Sequence, residues 1–156
     1  MKKYIIYPSL LALADRKTEW KQEIQKVASL STGIHYDIGD GEFVPSLMLD
    51  PCDIGLVGAE YFLPGVQDIE SLRIQLPIDV HLMVKKPSEY FFKLLEYPSV
   101  AAVAFHVESD EDVHQNIQTL KNAGKKAGLA ILHTTPADHL DQYLLEIDYL
   151  IVMTVK

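Results

Sequence analysis

The sequence has very little cysteine, a deficit of positive charge and no long uninterrupted hydrophobic run. Its one cysteine, Cys52, excludes an intrachain disulfide and fits a reducing compartment. With 14 Lys and Arg against 22 Asp and Glu, the formal net charge is −8, which disfavours nucleic-acid and anionic-membrane surfaces. Binding of a small anionic ligand is still compatible with this charge, because a few oriented backbone N–H groups can bind phosphate inside an acidic protein. We therefore expect a cytoplasmic protein that binds neither nucleic acid nor membranes.

The N-terminal stretch MKKYIIYPSLLALA resembles a signal peptide only briefly. Pro8 interrupts its apolar run, which is short for a signal or a membrane span. We interpret residues 4–7 as a first buried strand.

Short apolar runs alternate with amphipathic stretches along the 156 residues, a length that suits one domain. Runs rich in β-branched residues predict buried parallel strands: Tyr4–Tyr7, Ile34–Ile38, Ile78–Met83, Val100–Val107, Ala127–Leu132 and Tyr149–Val155. Apolar residues at helical spacing predict helices between them: Arg16–Leu30, Pro87–Tyr97, Asp110–Asn122 and Pro136–Ile147. This alternation predicts βαβ units in a parallel α/β sheet.

Spaced glycines that open a helix are lacking after the first predicted strand, which ends in Pro8-Ser9-Leu10. Such glycines would be expected in a dinucleotide-binding domain. The spacing leaves a flavodoxin-like sheet and a barrel open. The connection around residues 47–75 is longer than the others, and we interpret it as an insertion.

Polar side chains cluster near the ends of two predicted strands. Because side chains alternate along a strand, His35 and Asp37 lie on the same face of their strand. Asp79, His81 and Met83 likewise lie on one face of theirs. The carboxyl ends of parallel strands meet at one edge, so these groups are expected to converge. Two imidazoles and a carboxylate suit a divalent metal. Taken alone, each histidine could equally be an ordinary hydrogen-bonded core or surface group.

Three further histidines, His106, His114 and His139, are interpreted as hydrogen-bonded or solvated groups rather than ligands. Asp40-Gly41 is typical of a turn.

Six stretches, in order, resemble the ribulose-phosphate 3-epimerase family: YPSLLALA (7–14), IHYDIGDGEFVPS (34–46), LPIDVHLMVKKPSEY (76–90), AFHVES (104–109), AGKKAGLAILHTTP (123–136) and DYLIVMTV (148–155). The resemblance implies a parallel TIM barrel with its site at the carboxyl strand ends. Residues 1–156 would then form a single partial barrel domain, with about six of eight βα units and the insertion at 47–75.

The resemblance also implies a reaction and roles. A ketopentose 5-phosphate would exchange its C3 proton through an enediolate, interconverting ribulose 5-phosphate and xylulose 5-phosphate with a divalent metal. Asp37 would be an acid/base residue and metal ligand, and His35 and His81 would be ligands. Ser9 would contact substrate or orient the ligands, and Met83 and Met153 would form an apolar wall. The metal could be Zn, Fe, Mn or Co, and we expect a homo-oligomer.

The sequence departs from the family at two places. Gly39 occupies a position where the family usually has methionine, which would enlarge the pocket and favour a hexulose 6-phosphate of the allulose-6-phosphate type. The chain stops at Lys156, so the second catalytic aspartate and the phosphate-binding turns are expected beyond it, in a longer protein. The alternative is a catalytically inactive barrel relative.

Overall fold

A computed structural model describes residues 4–13, 19–44, 47–48 and 66–154. Four α-helices alternate with strands in this part of the chain: α1 (Trp20–Ala28), α2 (Val66–Ser71), α3 (Ser88–Leu94) and α4 (Val113–Asn122). The six strands are β1 (Ile34–Asp40), β2 (Leu47–Met48), β3 (Ile78–Met83), β4 (Val100–His106), β5 (Lys126–Ile131) and β6 (Tyr149–Val152). Short 3₁₀-helices cover Leu10–Leu13 and Ala137–Leu140.

The strands form one sheet in the order β2-β1-β3-β4-β5-β6. Strands β1, β3, β4, β5 and β6 are mutually parallel, and only the two-residue β2 is antiparallel to its neighbour. The predicted α/β class with a parallel sheet is therefore confirmed, and the arrangement is that of a partial TIM barrel.

One face of the sheet packs against the helices and forms the core. Along β1 this face carries Ile34, Tyr36 and Ile38, which are all at most 2% exposed. They pack in one cluster with Ile24 of α1 and other helix residues. The alternate residues of β1 and β3, including His35, Asp37 and His81, face the other way, as period two requires. The apolar set thus fixes the register that aims the polar set at the opposite face.

The predicted first buried strand at Tyr4–Tyr7 is wrong, because the segment forms no regular strand and its four side chains are 39–77% exposed. The segment still runs beside β1, since Thr32 N–H donates to Ile6 O at 2.8 Å and His35 N–H to Pro8 O at 3.0 Å. Ser9 and His35 form an isolated parallel bridge. Pro8 has no N–H to donate, and Ile6 N–H donates to the Thr32 side chain, so the ladder is interrupted.

The predicted helix at Pro136–Ile147 is also wrong. Only Ala137–Leu140 is helical, as a 3₁₀ turn, and the hydrogen bonds that follow are turns, such as Tyr143 N–H to Leu140 O at 2.8 Å. Leu140, Tyr143 and Ile147 pack against the core, whereas Leu144 is 50% and Leu145 99% exposed, so only part of the apolar set that predicted a helix is packed.

The other predicted helices are present but shorter. The proposed start at Arg16 and the strand end at Val155 lie outside the described residues. Helix α4 starts at Val113 because the Asp112 carboxylate accepts the Gln115 N–H, which caps the first turn.

The predicted insertion at 47–75 is described only at its two ends. Strand β2 pairs with the end of β1, and α2 packs Val66 and Ile69 into the core. Residues 49–65 lie outside the described residues, so the insertion and the single-domain assignment of 1–156 stay predictions. Within the described ranges, no helix is long and apolar enough to cross a membrane.

Candidate metal centre

Three polar side chains meet where β1 and β3 run side by side. Asp37 and His81 are register partners, and His35 lies two residues before Asp37 on the same face. His35 Nε2 is 3.2 Å and His81 Nδ1 is 3.1 Å from Asp37 Oδ1. One ligand atom from each residue lies within 4.8 Å of the other two. The parallel register thus brings together the trio that sequence spacing predicted.

Ser9 fixes the second oxygen of the same carboxylate. Its Oγ donates to Asp37 Oδ2 at 2.8 Å, and it accepts the N–H of Leu11. The bridge between Ser9 and His35 brings this hydroxyl to the site. Ser9 is therefore placed to orient Asp37, and contact with a substrate stays a prediction.

The site holds its carboxylate ionised. Burial alone would raise the pKa of Asp37, but hydrogen bonds from His35, His81 and Ser9 outweigh it and hold that pKa well below its usual range. Burial would lower the pKa of His35, yet hydrogen bonds to Asp37 and Asp79 raise it to about 10. The pKa of His81 is lowered, chiefly by burial.

The other ring nitrogen of His35 contacts a second carboxylate, that of Asp79. His35 Nδ1 lies 2.9 Å from Asp79 Oδ2, and the other Asp79 oxygen accepts the hydroxyl proton of Tyr149. Tyr149 is on β6, on the far side of the described sheet from β1. Burial, with the charge of Asp79 added, raises the pKa of the Tyr149 hydroxyl, so it stays protonated and donates.

His81 also has partners behind it. Its Nε2 lies 3.1 Å from His106 Nε2, and His106 Nδ1 lies 3.1 Å from Glu108 Oε2. Burial opposes ionisation of Glu108, but the hydrogen bond from His106 and others lower its pKa to about 2. His106 is fully buried and hydrogen-bonded, which agrees with its interpretation as a satisfied core group.

Asp40 forms the turn that leads out of the site. Its Oδ1 accepts the N–H groups of Glu42 and Phe43, and Gly41 has the positive φ of 77° that favours glycine. Its Oδ2 accepts the N–H of Lys85 after β3. The turn predicted for Asp40-Gly41 is confirmed, and it also joins the ends of β1 and β3.

Met83 and Met153 lie at the ends of different strands, and only the strand of Met83 carries a residue of the trio. Met83 is buried at the end of β3, in register with Gly39 of β1. Met153 follows β6, three strands away from β3, and its N–H donates to Ile131 O. The apolar wall that both would form stays a prediction.

Sequence reasoning assigned no role in the site to four residues that contact the trio or its partners: Asp79, Tyr149, His106 and Glu108. Period two placed Asp79 on the face of His81, and His106 and Glu108 follow the same alternation at the end of β4. Their partners come from strands distant in sequence, so no local pattern indicated which groups they would contact.

The donor set fits a divalent cation. Two imidazole nitrogens and a carboxylate oxygen converge on one small volume, and Asp79 and His106 occupy the outward nitrogens of the two rings. Histidine ligands are generally held in this way by a second hydrogen bond. His35, Asp37 and His81 are thus the residues that would hold the metal.

Fold and site together define a parallel α/β protein of the TIM-barrel class with a candidate metal centre on its sheet. The model of the ribulose-phosphate 3 epimerase family matches residues 5–156, and the chain belongs to this family.

Named relatives agree with this assignment. The chain is 30% identical over 156 residues to the ribulose-phosphate 3-epimerase of Escherichia coli strain K12, covering all of this chain and 63% of that protein. It is 32% identical to that of Serratia marcescens, covering 68% of the relative. That of Aquifex aeolicus is 29% identical over 125 residues, covering 79% of this chain and 49% of the relative. The chain thus spans about two thirds of the length of the relatives it matches most fully.

Proposed function

We propose that the chain carries the metal-binding half of an epimerase site that acts on ribulose 5-phosphate and xylulose 5-phosphate. The observation that carries the proposal is that His35 and His81 both contact one buried carboxylate oxygen, Oδ1 of Asp37. Membership of the ribulose-phosphate 3 epimerase family supports the substrate class.

Asp37 is the group that would accept the C3 proton. A proton next to a carbonyl is weakly acidic, so its removal needs a base held within reach. Ser9 restrains Oδ2, while Oδ1 faces the two histidines, so the carboxylate has one fixed orientation. The low pKa keeps it ionised at neutral pH, as a base must be.

The two histidines would supply nitrogen ligands. Asp79 accepts from His35 Nδ1, which directs Nε2 of that ring toward Asp37. A divalent cation bound here would stabilise negative charge that develops on the substrate oxygens. We propose Zn, Fe, Mn or Co, since all suit mixed imidazole and carboxylate ligands.

The test is exchange of the C3 proton of ribulose 5-phosphate in deuterated water by the full-length, metal-loaded protein, followed by NMR. We expect metal-dependent exchange, and Asp37→Asn should lower its rate by at least about 10²-fold, the usual contribution of a general base. Asp141→Asn, at an exposed aspartate on the segment before β6, is the matched control and should exchange at the unsubstituted rate. Absence of exchange with every one of the four metals would favour a catalytically inactive relative.

A hexulose 6-phosphate is the second candidate substrate. Gly39 has no side chain where it pairs with Met83, which leaves room near the ends of β1 and β3. A hexulose 6-phosphate of the allulose type should then exchange at least as fast as ribulose 5-phosphate. Gly39→Met should shift the ratio of the two rates toward the pentulose, and an unchanged ratio would contradict the candidate.

We further propose a cytoplasmic homo-oligomer. The single cysteine supports the location, and exposed apolar side chains away from β6 support association, namely Leu30, Phe92 and Leu145. Sedimentation at micromolar concentration should show a species heavier than the monomer of the protein, and a monomer would contradict this.

A further inference from the structure

A second hydrogen-bonded chain extends from His81 away from the proposed metal centre. It runs from His81 through His106 to Glu108 and ends on the backbone just after β5, where Leu132 N–H donates to Glu108 Oε1 at 2.9 Å. Strands β3 and β4 and the residue that follows β5 therefore contribute to it.

The contact between the two rings holds only one proton. His81 Nε2 and His106 Nε2 are 3.1 Å apart, so one nitrogen donates and the other accepts. When His81 Nδ1 binds a cation it carries no proton, and the proton of the neutral ring then lies on Nε2. His106 Nε2 must accept it, which leaves the His106 proton on Nδ1.

Glu108 favours this proton arrangement. An ionised carboxylate only accepts hydrogen bonds, so Glu108 Oε2 requires a proton on His106 Nδ1. Its other oxygen is occupied by a backbone N–H that cannot reverse its role. The Leu132 N–H just after β5 therefore fixes Glu108 as the acceptor at the end of this series of hydrogen bonds.

Burial keeps water away from the two rings, whereas the Glu108 side chain is 19% exposed. His106 is 0% and His81 2% exposed, and the Phe43 ring lies 4.6 Å from the His106 ring, centroid to centroid. A hydrogen bond lost here has no solvent substitute.

We propose that Glu108 and His106 are positioning residues: when a cation takes the place of the hydrogen bond from His81 Nδ1 to Asp37, they hold His81 in the tautomer whose Nδ1 lone pair faces the metal centre. The proposal rests on the metal site proposed above, and neither residue is itself a ligand. The positioning role extends the site from β3 to its neighbour β4, which carries His106.

Glu108→Gln is the informative substitution. If the carboxamide oxygen keeps the Leu132 N–H, its NH₂ group faces His106 Nδ1 and forces that nitrogen to accept. His106 Nε2 then donates, His81 Nε2 accepts, and the His81 proton moves to Nδ1, where it blocks a cation. Asp79 differs, because the Tyr149 hydroxyl can rotate and become an acceptor, so Asp79→Asn can keep its oxygen toward His35.

The first readout is the affinity of the chain for Zn²⁺, measured by titration calorimetry. Glu108→Gln should weaken Zn²⁺ binding 10- to 100-fold, the usual effect of removing a partner behind a ligand, and Asp79→Asn should weaken it less. Glu111→Gln is the matched control: Glu111 also accepts a backbone N–H from another element, that of Ser88, and has no histidine partner in the described structure. It should leave the Zn²⁺ affinity unchanged.

The second readout is the tautomer of each ring, from long-range ¹H–¹⁵N NMR spectra of the Zn²⁺-loaded chain. We expect His81 protonated on Nε2 and His106 on Nδ1. His106→Gln should retain most of the affinity, because its amide oxygen can accept from His81 while its NH₂ donates to Glu108. His106→Leu should lose affinity as Glu108→Gln does. Circular dichroism separates this loss from unfolding.

The outcomes distinguish this proposal from those it rests on. Zn²⁺ binding that is unchanged in Glu108→Gln, or the opposite His106 tautomer, overturns the positioning role alone. A chain that binds no Zn²⁺ overturns both the metal site and the positioning role. Normal Zn²⁺ binding and tautomers without C3 exchange would support the positioning role and contradict the epimerase.

Discussion

Asp37 is the residue on which the candidate site depends. Its Oδ1 faces two imidazoles and its Oδ2 a hydroxyl, so its hydrogen-bonding partners among the described residues are side chains of β1, β3 and the N-terminal segment. A buried carboxylate without such partners would be protonated rather than ionised. The ionised state of residue 37 is thus a property of its neighbours.

His35 gives the site a measurable pH dependence. The pKa of this imidazole is raised from 6.5 to about 10 in the folded chain, because Asp37 and Asp79 outweigh its burial. The folded state therefore binds the proton more tightly than the unfolded state does. The stabilisation from protonated His35 is complete below pH 6.5 and is lost as the pH rises toward 10.

We expect the free energy of unfolding of metal-free protein to fall between pH 6.5 and 10. One proton limits the slope to about 1.4 kcal/mol per pH unit. Urea denaturation in the presence of chelator measures it, and His35→Gln should flatten the profile. A profile as steep in His35→Gln as in the unsubstituted chain would show that other groups cause the change.

Among the elements, β5 and β6 show how one glycine admits a distant side chain. Gly128 of β5 is the register partner of Tyr149. A Cβ at position 128 would lie 2.4 Å from Tyr149 Cζ, far inside van der Waals contact. The missing side chain leaves space for the ring whose hydroxyl donates to Asp79.

Gly128→Ala should therefore destabilise the chain by about 1–3 kcal/mol, the usual cost of overpacking. In a Tyr149→Ser background the same change should cost much less, because the ring that it meets is gone. A double-mutant cycle of unfolding free energies gives the coupling, and additive effects would show that the ring is not the obstacle.

At the scale of the whole molecule, the candidate site links most of the sheet. The trio joins β1 to β3, Asp79 reaches Tyr149 on β6, and His81 reaches His106 on β4. A cation that binds only the folded arrangement stabilises all of it by mass action.

Zn²⁺ at 100 times its dissociation constant should raise the free energy of unfolding by about 2.7 kcal/mol. Thermal or urea unfolding with and without Zn²⁺ measures the increase. His81→Ala should remove most of it, whereas His114→Ala, at an exposed pair with Glu146, should retain it. Equal stabilisation of both variants would place Zn²⁺ elsewhere on the chain.

The pattern of the sequence was a good guide to the parallel strands and a poorer one to the connections. The apolar alternation at Ile34–Ile38 and Ile78–Met83 specified both strands and the side that each residue faces. The pattern at Pro136–Ile147 has helical spacing, but Leu144 and Leu145 are exposed in the fold, and only Ala137–Leu140 is helical, as a 3₁₀ turn. Residues 4–7 have strand composition, yet Pro8 and Thr32 interrupt the ladder.

The α/β class, the family and the convergence of His35, Asp37 and His81 could all be predicted from the residues in order along the chain. These follow from local periodicity and from motifs, since alternation along a strand fixes which side chains share a face. The groups that hydrogen-bond to the outer nitrogens of the two histidines became known from the folded arrangement of the strands. Asp79 and Tyr149 are 70 residues apart, and His81 and His106 are 25 apart. Such partners depend on strand order and register across the sheet, which local patterns do not encode.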